Sequence, residues 1–143
     1  MPKFLGVVMD PIESINYHKD TSLALLLAAQ RSGFQLFYMQ QADLFIDNDG
    51  AKAKMRPLTV TADSKSWFDL GKTHIKPLAD LHVILMRKDP PFDMEYVYST
   101  YLLELAETQG ARVFNRPRAI RDHNEKMAIA RYAQFTAPTL VTR

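Results

Sequence analysis

Short apolar runs alternate with helix-length segments along most of this chain. Continuous apolar runs are typical of strands that are buried on both faces. The predicted strands cover residues 4–9, 34–39, 81–86 and 111–114, and the predicted helices cover residues 21–31, 94 up to a stop at Gly110, and 122–134. Strands that alternate with helices predict an α/β fold, in which helices cover both faces of a mostly parallel sheet.

A charged, proline-containing segment, Arg87-Lys88-Asp89-Pro90-Pro91-Phe92-Asp93, directly follows the third of these strands. Proline fixes φ and keeps the preceding residue out of the helical region, so we expect a stiff, extended loop. Such a loop would present Arg87 and Lys88 in a fixed direction. Asp93 suits the N-cap of the helix that follows.

The pattern changes between Asp43 and Pro77, where a turn signal at residues 47–50 separates two short strand-like stretches. This segment predicts a hairpin excursion with one basic face, and we interpret that face as solvated rather than as a docking surface. Trp67 is predicted to be a packing anchor.

The loops that follow the strands are polar, whereas the returns at Gly33 and Gly110 are short. In a parallel α/β sheet the former loops share one edge, where ligands bind. The helices that start there present free N–H groups, which favour an anion. The cations on these loops are Lys19, Arg87, Lys88, Arg121 and Lys126. A substrate with carboxylates or phosphates would fit this edge.

Each of these residues also has a structural interpretation. Arg87 could pair with Asp89 or Asp93, and Asp10 could simply shape the loop before Pro11. Asp122 and Glu125 together fit a capping box. The residues by themselves leave both interpretations open.

Several function classes are disfavoured. Lys and Arg number 18 against 16 Asp and Glu, and the resulting net charge of +2 gives little reason to expect a nucleic-acid partner. No apolar run approaches the roughly 20 residues of a membrane helix, and there is no signal-peptide pattern, so a cytoplasmic protein is expected. Cysteine is absent, and no histidine pair has metal-ligand spacing. Phosphate-loop, dinucleotide and nucleophile-elbow motifs are missing, which favours ligand binding without catalytic residues.

Five collinear strings resemble the N-terminal part of bacterial glutathione synthetase, and the likeness covers nearly the whole chain. The R-K-D-P-P-F-D string is the most specific of them. The chain departs mildly from the family at Arg116 and Ile120, and residues 48–77 carry no family signature. The five strings are residues 8–12, 19–22, 85–93, 121–126 and 139–143.

The resemblance implies a Rossmann-like, three-layer pre-ATP-grasp domain spanning residues 1–143. It further implies an enzyme that joins γ-glutamylcysteine to glycine through an acyl phosphate, using ATP and Mg²⁺, and that assembles as a homodimer or homotetramer. Arg87 would contact a peptide carboxylate, with Asp10, Lys19 and Lys88 nearby, and Lys126 would reach ATP. The ATP-grasp domain and the metal ligands would lie outside this chain, so we expect the 143-residue fragment to be inactive and assign it no catalytic or metal-binding residue.

The sequence leaves two alternatives open. Another ATP-grasp peptide or amino-acid ligase could have the same leading domain, although it should lack the R-K-D-P-P-F-D string. The chain could also be a non-catalytic binding or interaction module. The reading frame beyond Arg143 would discriminate between a ligase and such a module.

Overall fold

A computed structural model describes residues 1–142 of the chain, except for the side chain of Glu125. Within residues 1–142, eight strands and four α-helices follow one another, with short 3₁₀ segments at residues 12–14, 41–43, 78–80 and 129–135. The strands are β1 (Lys3–Val8), β2 (Phe34–Met39), β3 (Leu44–Asp47), β4 (Gly50–Val60), β5 (Phe68–Leu70), β6 (His74–Pro77), β7 (Val83–Met86) and β8 (Val113–Phe114). The helices are α1 (Thr21–Arg31), α2 (Met94–Thr108), α3 (Pro117–Asp122) and α4 (Glu125–Ala128).

A single sheet runs through the molecule in the order β3-β4-β2-β1-β7-β8, and β5 and β6 also pair with β4. The four strands predicted from the apolar runs form its parallel part, β2-β1-β7-β8. Every pairing made by β4 is antiparallel and belongs to the excursion. The predicted α/β fold with a hairpin excursion is therefore confirmed.

The sheet separates two hydrophobic cores, and successive residues of β1 face them alternately. Val7 is buried with α1 and Trp67 on one face, whereas Val8 is buried with the α2 residues Leu103 and Ala106 on the other. Because both faces are covered, β1 can be apolar at nearly every position. This explains the continuous run from which the strand was predicted.

Side-chain caps fix the starts of the two long helices, and the cap predicted at Asp93 is confirmed. The Asp20 carboxylate accepts the backbone N–H groups of Ser22 and Leu23, and the Asp93 carboxylate accepts that of Tyr96. These caps satisfy amide groups that have no partner within the helix.

The apolar side of the excursion covers the core that contains Val8 and the α2 residues. Ala51, Ala53 and Met55 are buried there. On the opposite side Lys52 is only partly exposed, because its ammonium group pairs with Asp47 at 2.8 Å and with Asp49 at 2.9 Å. Lys54 of the same face is exposed, so the predicted basic face is partly solvated and partly neutralised within the excursion. Trp67 is a packing anchor as predicted, with 9% of its surface exposed.

The end of the described chain differs from the single helix predicted for residues 122–134. Asp122 is the last residue of α3, and a new start at Asn124 begins α4, because the Asn124 side chain accepts the N–H groups of Lys126 and Met127. The predicted N-cap at Asp122 is wrong, and the capping role predicted for Glu125 lies outside the described atoms. No helix within residues 1–142 is long and apolar enough to cross a membrane.

Candidate functional site

The candidate site lies where β1, β2 and β7 end, at what we call the carboxyl edge of the sheet. Because β1 lies between β2 and β7, the loop after β1 lies beside the loop after β7. The backbone N–H of Arg87 donates to the Val8 carbonyl at 2.8 Å, which continues the pairing of the two strands to this edge. The strand order therefore brings together residues that are almost 80 positions apart in the sequence.

Asp10 joins the two loops. One of its carboxylate oxygens pairs with the Lys88 ammonium group at 2.8 Å, and the other accepts the backbone N–H of Asp89 at 2.9 Å. The Lys88 ammonium group also donates to the Asp89 carbonyl at 2.7 Å. Lys88 and Asp10 thus neutralise each other.

Tyr96 fixes the same loop from the first turn of α2. Its hydroxyl donates to the Lys88 carbonyl at 3.2 Å, and only 8% of the residue is exposed. Burial raises the pKa of the Tyr96 hydroxyl, and the charge of Asp89 raises it further. The phenol therefore keeps its proton at neutral pH and remains a hydrogen-bond donor to the loop.

Arg87 does not pair with Asp89 or Asp93, which was the structural interpretation of its charge. Its Nε atom donates instead to the Ser22 hydroxyl in the first turn of α1, at 3.0 Å. No described residue accepts a hydrogen bond from its two terminal nitrogens, and neither nitrogen is buried. The Arg87 guanidinium is thus held beside the start of α1 with two nitrogens open to solvent, a geometry that suits a carboxylate.

Arg87 lines none of the four cavities found at this edge and beside it, and the other predicted site residues line different ones. Asp10 and Lys19 line a cavity of about 430 Å³ beside the Asp20 cap, and Lys88 lines another of about 470 Å³ together with Asp10. Lys126 lines a separate cavity of about 870 Å³, beyond the loop that carries Pro90. Asp10 therefore links the positions predicted to bind the peptide, whereas Lys126 lies apart from them.

Comparison with known proteins decides the family. Residues 4–121 match the N-terminal domain of prokaryotic glutathione synthetase. The chain belongs to this family. Over 139 residues it is 62% identical to a glutathione synthetase of Pseudomonas putida, 55% to one of Shewanella oneidensis and 52% to one of Escherichia coli. Each match covers 97% of the chain but 44% of the relative, so the chain spans less than half the length of these relatives.

Arg121 has a different position in this glutathione synthetase domain from the one predicted, because it does not face the carboxyl edge as an available cation. Its guanidinium donates to Thr100 at 3.0 Å and pairs with the Glu104 carboxylate, and it lies 4.4 Å from the centre of the Tyr101 ring. All three partners belong to α2. Arg121 therefore attaches α3 to α2, and its charge is already neutralised.

Sequence reasoning missed Ser22 and Tyr96 as supports of the synthetase loop. Ser22 looked like an ordinary residue in the first turn of a helix, and Tyr96 was not among the positions singled out in α2. Ser22 and Arg87 are 65 positions apart, so no local pattern connects them. The signal that could have found Tyr96 is its place three residues after the Asp93 cap, which turns it towards the preceding loop.

Proposed function

We propose that this chain is the peptide-binding leading domain of a ligase that joins γ-glutamylcysteine to glycine with ATP. In this proposal ATP phosphorylates the carboxylate of γ-glutamylcysteine, and ADP leaves. The glycine amine then attacks the acyl phosphate and displaces phosphate. The observation that carries the proposal is the Arg87 guanidinium, which is held by Ser22 at the carboxyl edge with two nitrogens open to a substrate carboxylate.

The other site residues contribute less directly in this proposal. Lys19 supplies a second cationic contact, and the paired Asp10 and Lys88 form part of the surface on which the peptide lies. Lys126 reaches ATP from the first turn of α4. Within the described part of the chain, no three His, Cys, Asp or Glu side chains converge on a site that could hold a metal ion. We place the metal ligands outside this chain, and we assign the longer protein to the cytoplasm as a homo-oligomer.

The reaction can be tested by measuring ADP release from the longer protein. We expect γ-glutamylcysteine and glycine together to stimulate ADP release strongly, and glycine alone to have no effect because no acyl phosphate forms without the peptide. The 143-residue chain should release no ADP under the same conditions. If γ-glutamylcysteine and glycine together do not stimulate ADP release, the substrate assignment is wrong. ADP release by the 143-residue chain alone would contradict the proposal that this chain is inactive without the rest of the longer protein.

We further propose that the folded leading domain ends before Asn124. The family match stops at residue 121, and the side chains beyond it are unusually exposed for apolar groups: Met127 is 63% exposed, Phe135 78% and Leu140 85%. Helix α4 and the 3₁₀ segment after it pack mainly on each other. Their apolar side chains would be covered by the part of the longer protein that binds ATP.

A chain shortened to residues 1–123 is therefore expected to keep its thermal stability. Its midpoint of unfolding, measured by circular dichroism, should fall by less than about 3 °C, because exposed segments contribute little to stability. A chain shortened to residues 1–116 serves as the control, since it also loses α3 and the attachment of Arg121 to α2. Equal losses from both truncations would contradict the proposed domain end.

A further inference from the structure

The largest of the cavities described above lies between the proline-containing loop and α3. At about 870 Å³ it has roughly twice the volume of the cavity beside Asp20. Small-molecule sites have volumes of roughly 300 to 1,000 Å³. The proposed peptide contacts Arg87, Asp10, Lys19 and Lys88 do not line this cavity.

One wall of this cavity is apolar and partly aromatic. The rings of Phe92 and Tyr96 lie 5.2 Å apart, with an angle of 47° between their planes. Met86, which is buried, and Ile120 of α3 also line the cavity. Phe92 is 39% exposed, so its ring is accessible to a ligand. A planar apolar group could pack against this wall and be shielded from water.

The same cavity is also lined by two cationic side chains. These are Arg116 and Lys126, and no described carboxylate side chain lines the cavity. The Arg116 guanidinium forms no ion pair within the described residues, in contrast to the attached Arg121 and to Arg118, which pairs with Asp122 at 3.4 Å. An arginine without a carboxylate partner, beside a concave surface that no acidic side chain lines, suits an anionic ligand.

We propose that this cavity binds a small anion that carries a planar apolar group. The anionic head would lie at Arg116, and the planar group would pack against Phe92 and Tyr96. This site is distinct from the peptide contacts around Arg87. Two sources share the chemistry: the nucleotide of the proposed reaction, whose contact Lys126 lines the same cavity, and a separate anionic aromatic metabolite.

Calorimetric titration of the 143-residue chain with naphthalene-2-sulfonate tests the site. We expect saturable binding at one site, and binding of neutral naphthalene-2-methanol and of inorganic sulfate that is at least about tenfold weaker, because each of them lacks one half of the ligand. Arg116→Gln should weaken binding of the sulfonate by about tenfold. The matched control Arg118→Gln, two residues along α3 and already paired, should not change it.

A second variant tests the aromatic wall independently of charge. Phe92→Leu keeps an apolar residue at an exposed position but removes the ring, and it should weaken the sulfonate more than it weakens sulfate. Absent or non-saturable binding, or equal effects of Arg116→Gln and Arg118→Gln, would overturn the proposal. Displacement of the sulfonate by AMP would identify the nucleotide as the source, and failure of AMP to displace bound sulfonate would exclude the nucleotide and leave a separate metabolite. Neither result depends on whether the longer protein makes glutathione.

Discussion

Replacement of Arg87 by alanine in the longer protein is expected to raise the KM for γ-glutamylcysteine by roughly 10- to 150-fold. The range follows from the roughly 1.5–3 kcal/mol that a hydrogen bond to a charged group contributes. The KM for ATP should change much less, because Arg87 itself does not line the cavity of Lys126, the proposed nucleotide contact. Steady-state kinetics with each substrate varied in turn measures both values.

Three further variants test the charge of Arg87, its hydrogen bond to Ser22 and the effect of removing an unrelated arginine. Arg87→Lys keeps the charge but loses the planar fork, so we expect only partial recovery of peptide binding. Ser22→Ala removes the hydroxyl that holds Nε, and its effect should be smaller than that of Arg87→Ala and in the same direction. Arg112→Ala, an exposed arginine just before β8 at the opposite edge of the sheet, should leave both KM values unchanged. An unaltered peptide KM in Arg87→Ala would reject the proposed contact.

Local sequence signals predicted most of the fold because the physical causes are themselves local. The apolar run of β1 follows from burial on both faces, and the Asp20 and Asp93 caps follow from amide groups within three residues. Helix α1 ends before Gly33, whose φ of +84° is a conformation that glycine adopts without steric cost. Each of these features needs information from only a few neighbouring positions.

The interactions at the site could not be predicted in the same way, because they depend on strand order. The pair of Lys88 with Asp10 and the bond of Arg87 to Ser22 form only when β1 lies next to β7. Before that order is known, Asp89 and Asp93 are equally reasonable partners for Arg87. Arg121 shows the same difficulty, since its partners on α2 lie 17 to 21 positions earlier in the chain.

The end of the chain shows a different difficulty, in which two local signals competed. Asp122 and Asn124 are both good N-cap residues, and the apolar positions beyond them fit a helix that starts at either one. In the structure Pro117 begins α3 early enough that Asp122 falls at its end, which leaves the capping role to Asn124. The sequence pattern therefore predicted helical structure in this region but placed its start wrongly.

Trp67→Ala is expected to lower the free energy of unfolding of the chain by about 3 kcal/mol. Truncation of a large buried side chain removes its transfer free energy and leaves a cavity. The Trp67 ring lies 4.7 Å from the Phe68 ring and 6.3 Å from the Tyr17 ring, so the cavity would open between the excursion and the loop after β1. Urea unfolding should be followed by far-UV circular dichroism, because Trp67 is the single tryptophan and the variant has no indole fluorescence.

The contact between Trp67 and Tyr17 is also expected to connect the excursion to the proposed site. Tyr17 lies two residues before Lys19, so loosening of the Tyr17 ring should let the Lys19 loop move and raise the KM for γ-glutamylcysteine in the longer protein. Trp67→Phe, which keeps an aromatic ring against Tyr17, should have most of the wild-type stability and peptide KM.

Phe114→Ala is the control for removal of an aromatic ring, because Phe114 is 55% exposed and its loss should cost less than about 1 kcal/mol. If Trp67→Ala were as stable as Phe114→Ala, Trp67 would not anchor the loop. A large loss of stability with an unchanged peptide KM would instead show that Trp67 stabilises the core but does not position the Lys19 loop.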